Sequence, residues 1–272
     1  MPYRLSLRVG SFIGVIGFYL WSSRRKIAIE NIETTKRIDK LYTDLSSREI
    51  ALQSFKNLGK SVVEIIKIFH GLGEGILKRV TIEGEHHFHE AKSKGRGVIF
   101  ITGHCGNWEV IALTSSYMGI PLAVVARAQN NPYINRFIER ARSKFGNRVI
   151  YKKGALRHLI RQLRQGGTIG ILMDQGVLPS EGVKIPFLGR PAWTMRTPAV
   201  LARKTGAAVV PVFIRRTENG HHIVVQKEVE LLRGTDEESV IEDTRKMSSY
   251  VEDYIRHNPV EWLWIHRRWK RA

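Results

Sequence analysis

Apolar and polar positions along the chain fall into three regimes. The first is an uncharged run between Arg8 and Arg24, the 15 residues 9–23. As a helix it reaches about 22 Å, short of a bilayer core of about 30 Å, so a simple span is marginal. A secretory signal fits the charged start and short core, but Arg24-Arg25-Lys26 stands where small residues would mark cleavage. A buried core helix is the bland alternative. The run reads best as a shallow anchor, with Tyr19 and Trp21 at the interface and Arg24, Arg25 and Lys26 on lipid headgroups.

The second regime, 46–69, has helical periodicity, with Ile50, Phe55, Leu58, Val62, Ile65 and Ile66 on one side. The third follows Gly71, Gly73 and Gly75, where short apolar runs alternate with amphipathic stretches. Strands are expected at 98–102, 122–126, 148–151, 169–173 and 207–214, and helices at 108–117, 132–145, 155–165 and 194–205. That alternation predicts an α/β fold, a mostly parallel sheet flanked by helices behind an N-terminal helical element. Asn219-Gly220 between two apolar runs predicts a hairpin and an antiparallel edge. Thr235 with Glu238 reads as a capping box opening a last helix to about residue 255.

Chemistry concentrates in one run, Gly97-Val98-Ile99-Phe100-Ile101-Thr102-Gly103-His104-Cys105-Gly106-Asn107-Trp108-Glu109. A strand ending at Gly103 sets His104 at its carboxyl end, where open α/β sheets hold ligands. Glu109 lies five positions on, about 140° away on a continuous helix, so the two meet only across a turn. Gly103 and Gly106 permit that turn. A carboxylate on one imidazole nitrogen fixes the tautomer and leaves the other nitrogen to deprotonate a hydroxyl. A structural histidine, a Cys105 thiol nucleophile and a metal site compete with this reading. The thiol has no redox partner, because Cys105 is the only cysteine. No metal is expected, since His86, His87, His89, His221 and His222 show no matching ligand spacing. The cluster 85–89 reads as a solvated helix start.

The run resembles the His-x4-Asp/Glu block of glycerolipid and lysophospholipid acyltransferases. Its fuller form, Gly-His-x-Gly-Asn-Trp-Glu, is similar to the lipid A late acyltransferases, the lauroyl and myristoyl transferases of the bacterial inner membrane. Other blocks follow in order: 24–32, then 54–60 with Glu64, then Arg127 with Asn131-Pro132, Arg140 and Arg142. Met173-Asp174-Gln175 with 186–190 and Trp193-Thr194 comes next, then 209–212 and the ending 262–269. The resemblance divides the chain into an N-terminal helical, membrane-anchoring region (1–75) and an α/β acyltransferase domain (76–272). It implies transfer of a fatty acyl group from an acyl thioester to a lipid hydroxyl, with His104 as base and Glu109 stabilising the imidazolium. The implied donor is acyl-carrier protein or a coenzyme A thioester, the implied acceptor an anionic lipid, a lipid A precursor or a lysophospholipid or glycolipid. The implied place is the cytoplasmic face of the inner membrane, held peripherally or by a single span, and no cofactor is expected. Backbone donors at Gly106 and Asn107 are candidates for the oxyanion, while Arg127, Arg142, Asp174 and Gln175 would line the substrate site. Two departures stand out. The apolar start is shorter than the family's usual one, implying a late start or a shallower anchor, and 85–89 is richer in histidine.

Charge then adds a partner class. With 44 Lys and Arg against 25 Asp and Glu the chain carries +19, which favours an anionic partner. Residues 121–164 hold eleven of those cations against Glu139 alone, a balance of 11 − 1 = +10. Arg157, Arg161 and Arg164 share one face of a helix whose Leu156, Leu159, Ile160 and Leu163 turn inward. A nucleic-acid-binding protein and an inactive membrane scaffold are the rivals. No helix-turn-helix, zinc-finger or aromatic-basic sheet motif supports the first, so no nucleic acid is expected.

Overall fold

The computed structural model describes residues 1–126, 132–143, 146–151 and 154–271. Three helices come first: α1 (Tyr3–Leu20), α2 (Ser22–Ile38) and α3 (Ser47–Phe69). A short α4 (Glu74–Leu77) leads to β1 (Val80–Glu83) and α5 (Glu85–Ser93). The alternating part runs β2 (Val98–Thr102), α6 (Trp108–Tyr117), β3 (Leu122–Ala126), α7 (Pro132–Ser143), β4 (Arg148–Tyr151), α8 (Ala155–Arg164) and β5 (Thr168–Leu172). A hairpin of β6 (Gly182–Phe187) and β7 (Arg190–Met195) precedes α9 (Thr197–Thr205), β8 (Ala208–Arg216), β9 (His221–Val225) and α10 (Glu237–His257).

Among the described residues seven strands form one sheet in the order β1-β9-β8-β2-β5-β3-β4. Every pairing is parallel except β8 with β9. The predicted hairpin is therefore present, with the Thr217 N–H donated to the Gly220 carbonyl at 3.0 Å. It does not form an edge, because β1 adds to β9 in parallel beyond it. The middle strand, β2, is buried at all five positions, as a strand covered by helices on both faces must be. The last helix opens one residue later than expected. Asp236, not Thr235, is the N-cap and accepts the Ser239 N–H at 2.7 Å. A true capping box stands at Ser46 and Glu49, where each side chain accepts from the other's backbone.

No boundary of the core falls at residue 75. Phe18, Ile32, Ile50 and Phe55 share one buried cluster with Ile99, Ile101, Trp262 and Trp264. The aromatic ending sits inside: Trp262, Trp264 and Trp269 are buried, as is Arg268. Arg268 donates to the Trp193 carbonyl and to Thr194 Oγ1, each at 2.6 Å. Burial lowers its guanidinium to about 10.

The N-terminal run is not one continuous rod, because α1 and α2 meet at 92° and no single described helix is long and apolar enough to cross a membrane. The inward face of α1 is Ser6, Gly10, Gly14 and Phe18, one residue per turn. Its outward face carries exposed Leu5, Val9, Phe12, Ile13, Ile16 and Leu20. Val62 and Ile66 of α3, expected inside, are exposed too. Arg24 and Arg25 turn to the protein and not to headgroups. Arg25 Nη1 donates to the Phe18 and Tyr19 carbonyls, each at 3.0 Å, closing the end of α1, and Arg24 donates to the Ile265 carbonyl at 3.2 Å.

Small residues let α1 and α3 touch backbone to backbone. A Cβ on Gly59 would press on the Gly10 carbonyl and stand 2.7 Å from the Gly14 nitrogen. Overpacking of this kind costs about 1–3 kcal/mol. Gly59→Ala is therefore expected to lower the unfolding free energy by that amount in a urea titration. Gly75→Ala, where a Cβ meets nothing within 4 Å, is expected to leave it unchanged or slightly raised.

Candidate active site

Strand register builds the site. β2 and β5 run parallel with Thr102 opposite Leu172, so the positions two residues beyond, 104 and 174, come abreast at the carboxyl edge of the sheet. The Met173 N–H donated to the Thr102 carbonyl at 3.0 Å continues the ladder past the last paired residues. His104 Nδ1 lies 2.8 Å from Asp174 Oδ1. Because the ionised carboxylate can only accept, Nδ1 carries the proton. Nε2 is left as the acceptor and takes the Gln175 Nε2 amide at 3.3 Å.

Asp174 is buried and has no oxygen to spare, because Trp262 Nε1 donates to Oδ2 at 2.7 Å. Burial pushes its carboxyl up, but the His104 imidazole and the hydrogen bonds from His104 and Trp262 outweigh that and hold it at about 2. The chain just before and after Trp262 braces the same turn. Glu261 accepts the Gly106 N–H at 2.9 Å, and the Leu263 N–H reaches the His104 carbonyl at 3.1 Å.

The carboxylate expected on His104 is elsewhere. Glu109 sits in the first turn of α6 and pairs with Arg142 of α7. Arg142 Nε donates to Oε2 at 2.9 Å and Nη2 donates to Oε1. Trp108 Nε1 also donates to Glu109 Oε1, at 3.2 Å, while the Trp108 ring stands edge-on to His104 with centroids 4.9 Å apart. The link from Glu109 to His104 thus runs through an indole, not a hydrogen bond.

Gly106 and Asn107 hold the turn, and the Gly106 N–H is taken up within it. The Gly106 N–H is committed to Glu261, and Gly106 has φ +55° in close approach to the Ile214 carbonyl. Asn107 is buried and donates to Glu64 Oε2 at 2.9 Å. Asp174, expected against substrate, stands behind His104 instead. Gln175 and Arg142 are at the site, and Arg127 lies outside the described residues. Cys105 is fully buried, and burial pushes its thiol well above its ordinary value, which suits core packing and not nucleophilic attack.

A cleft opens over His104, with Ser54, Asn57, Leu58, Trp108 and Leu263 on its walls. The His104 side chain is one-fifth exposed. On the exposed side of α5 the ligand atoms of His86, His87 and Glu90 lie within 4.8 Å of one another, a grouping the spacing did not suggest. Sequence reasoning passed over Trp262 as an orienting group. It also missed Arg216 and His221, which join Glu64 below the turn. The visible signal was Glu64 itself, an acid between Val63 and Ile65 in an otherwise apolar stretch.

Comparison with known proteins points to one family. Residues 1–271 match the model of the family described as bacterial lipid A biosynthesis acyltransferase. The lipid A biosynthesis lauroyltransferase of Escherichia coli (strain K12) is 24% identical, over 99% of this chain and 87% of that protein. The palmitoleoyltransferase of the same organism is 25% identical over 99% and 86%, and its myristoyltransferase 23% over 95% and 77%.

The Asp174 pairing makes a pH prediction. Its folded value, about 2, lies below the ordinary 3.8, so the interaction stabilises the fold fully above pH 4 and is lost as pH falls toward 2. Its size is about 2 kcal/mol. Asp174→Asn is expected to lose that stability at pH 7 in urea unfolding, with the gap to wild type narrowing as the titration is repeated below pH 4. A gap that stays constant down to pH 3 would contradict the assignment.

Proposed function

The chain belongs to the bacterial lipid A biosynthesis acyltransferase family and is an acyltransferase. On that premise we propose that it moves a fatty acyl chain from an acyl thioester to a hydroxyl of a lipid A precursor at a membrane surface. The observation that carries this is the line Asp174–His104–Gln175, which leaves His104 Nε2 as a proton acceptor on a one-fifth-exposed side chain beside a small pocket.

The acceptor hydroxyl displaces the Gln175 amide from Nε2 and gives up its proton there as its oxygen attacks the thioester carbonyl carbon. Asp174 stabilises the imidazolium that results. The C–O bond is then complete, the C–S bond breaks, and the thiolate leaves with the proton returned by His104. Gln175, freed by the hydroxyl, is beside the reacting carbon and can donate to the oxyanion. Glu109, paired with Arg142, accepts from the Trp108 indole and so steadies a wall of the pocket beside His104. No step requires a cofactor.

Two surfaces support the partners. The outward apolar face of α1, with Tyr19 and Trp21 exposed at its end, fits a helix lying in the lipid interface. Lys26, exposed beyond the bend, adds a charge for anionic headgroups. The donor is acyl-carrier protein, an acidic partner matched by the exposed Arg157, Arg161 and Arg164 of α8. A coenzyme A thioester is the alternative donor.

His104→Ala is expected to lower turnover by at least about 10²-fold, the scale of a lost general base. The assay is acyl transfer from acyl-carrier protein to a lipid A precursor in mixed micelles, read by mass spectrometry of the product. Wild-type turnover in that variant would sink the base. Mass spectra of membrane lipids from cells with and without the gene identify the acceptor by one acyl-chain difference. A difference on phospholipids alone would replace the lipid A assignment with a lysophospholipid one.

A further inference from the structure

A second buried carboxylate lies beneath the turn that carries Trp108 and Glu109. Glu64 of α3 is completely buried, yet four side chains from separate parts of the chain converge on it. Tyr3 of α1 donates its hydroxyl to Oε1 at 2.8 Å. Arg216, at the end of β8, donates Nη1 to Oε1 at 2.6 Å, and His221 Nε2 of β9 meets the same oxygen at 2.9 Å. Asn107 takes the other oxygen, donating Nδ2 to Oε2 at 2.9 Å.

Burial alone would push the Glu64 carboxyl up. The hydrogen bond and charge from His221 and those from Arg216 outweigh it and hold the group well below the usual carboxylate range. The carboxylate therefore stays ionised throughout the working pH range. Buried ion pairs contribute little net stability, because desolvation consumes most of the Coulombic gain, and apolar residues of equal volume serve a core as well. What such a pair does supply is one defined geometry.

The geometry defined here is that of the site. Asn107 is the N-cap of α6, the position where an asparagine side chain ordinarily accepts from the helix's own first N–H groups. It makes no such cap bond. Its side chain is turned down to Glu64, which thereby fixes the N-cap of α6, one residue before Trp108 and two before Glu109. The opposite oxygen holds Tyr3, on the helix whose outer face is apolar and exposed. One carboxylate therefore grips both the surface helix and the turn beside His104.

We propose that Glu64 is a positioning residue for acyl transfer, transmitting the seating of α1 through Tyr3 to Asn107 and so to Trp108 and Glu109. The proposal rests on the acyl-transfer reading of His104. It adds a residue that touches no substrate and acts through the placement of the turn.

The test is a double-mutant cycle on kcat and KM in the micellar assay, with thermal melts of every variant. Glu64→Gln is expected to lower kcat about tenfold or more while KM for the acceptor stays within about twofold, the pattern of a displaced catalytic constellation. Combined with Asn107→Ala it is expected to cost no more than the worse single variant. Additive losses, or a loss confined to KM, would overturn the proposal. Glu64→Gln leaves Arg216 without its counter-charge. Should it not fold, the cycle is run on Tyr3→Phe and Asn107→Ala, which hydrogen-bond opposite oxygens of Glu64. Non-additive kcat losses are expected there, and strict additivity overturns the coupling. His104→Ala is assayed alongside. If it keeps full turnover the base assignment fails while the cycle still reports on Glu64. If it is inactive and the cycles are additive, only the positioning role falls.

Discussion

The site depends on a carboxylate that water cannot reach. Asp174 is placed by β5, accepts from His104 at the end of β2, and accepts from Trp262 in the C-terminal segment. Leaving such a group unpaired in the interior costs several kcal/mol. The fold therefore closes only when the two strand ends and the C-terminal segment arrive together. This is why the aromatic and basic ending packs inward. Trp262 supplies a donor to Asp174, its neighbours hydrogen-bond the backbone of His104 and Gly106, and Cys105 pairs with Trp262 as an isolated bridge. The aromatic and basic ending is the clamp of the turn that carries His104.

Local pattern carried much of the fold. Runs such as 98–102 and 148–151 are apolar, bounded by glycine or polar residues and too short for helices, and they form strands at those positions. The segment expected as a helix from 194 instead starts at Thr197, because 190–195 pairs back on 182–187 as a hairpin. Leu188 and Gly189, both at positive φ, make that turn. No alternation of apolar and polar residues marks Arg-Pro-Ala-Trp-Thr-Met as a strand, so only the pairing reveals it. The same limit applies to Val62 and Ile66. Helical periodicity assigns them to an apolar side, but α3 already packs its small residues on α1 and its other side on the core, which leaves them facing out.

The site was half legible for a related reason. His104 follows from the strand end, which any parallel sheet places at the ligand edge. Its carboxylate partner follows from which strand lies alongside, and that is a long-range fact. The His-x4-Glu spacing invites a local pairing, yet Trp108 starts the helix and Glu109 takes its second position, where it turns to Arg142 on α7. Asp174, 70 residues away, becomes level with His104 only because β2 and β5 share a register. Met173-Asp174-Gln175 was visible as a block, but a block has no side-chain direction until its strand has a neighbour.

The N-terminal helix joins these threads. α1 gives Ser6, Gly10, Gly14 and one large residue, Phe18, to the body of the protein and its other large apolar residues to the outside. The glycines bring its backbone against Gly59 and Lys60, which fixes its axis on the body of the protein. Tyr3 then fixes its start through Glu64, and Arg25 fixes its end through two carbonyls. On the proposed reading, an apolar face held this rigidly would present one orientation of the molecule to a lipid surface. The cleft over His104 shares its wall residues Ser54, Asn57 and Leu58 with α3, the helix that α1 rests on. On the proposed reading, the helix that would meet the lipid and the helix that walls the pocket beside His104 are packed directly on one another, which would keep an acceptor hydroxyl bound for Nε2 close to the interface.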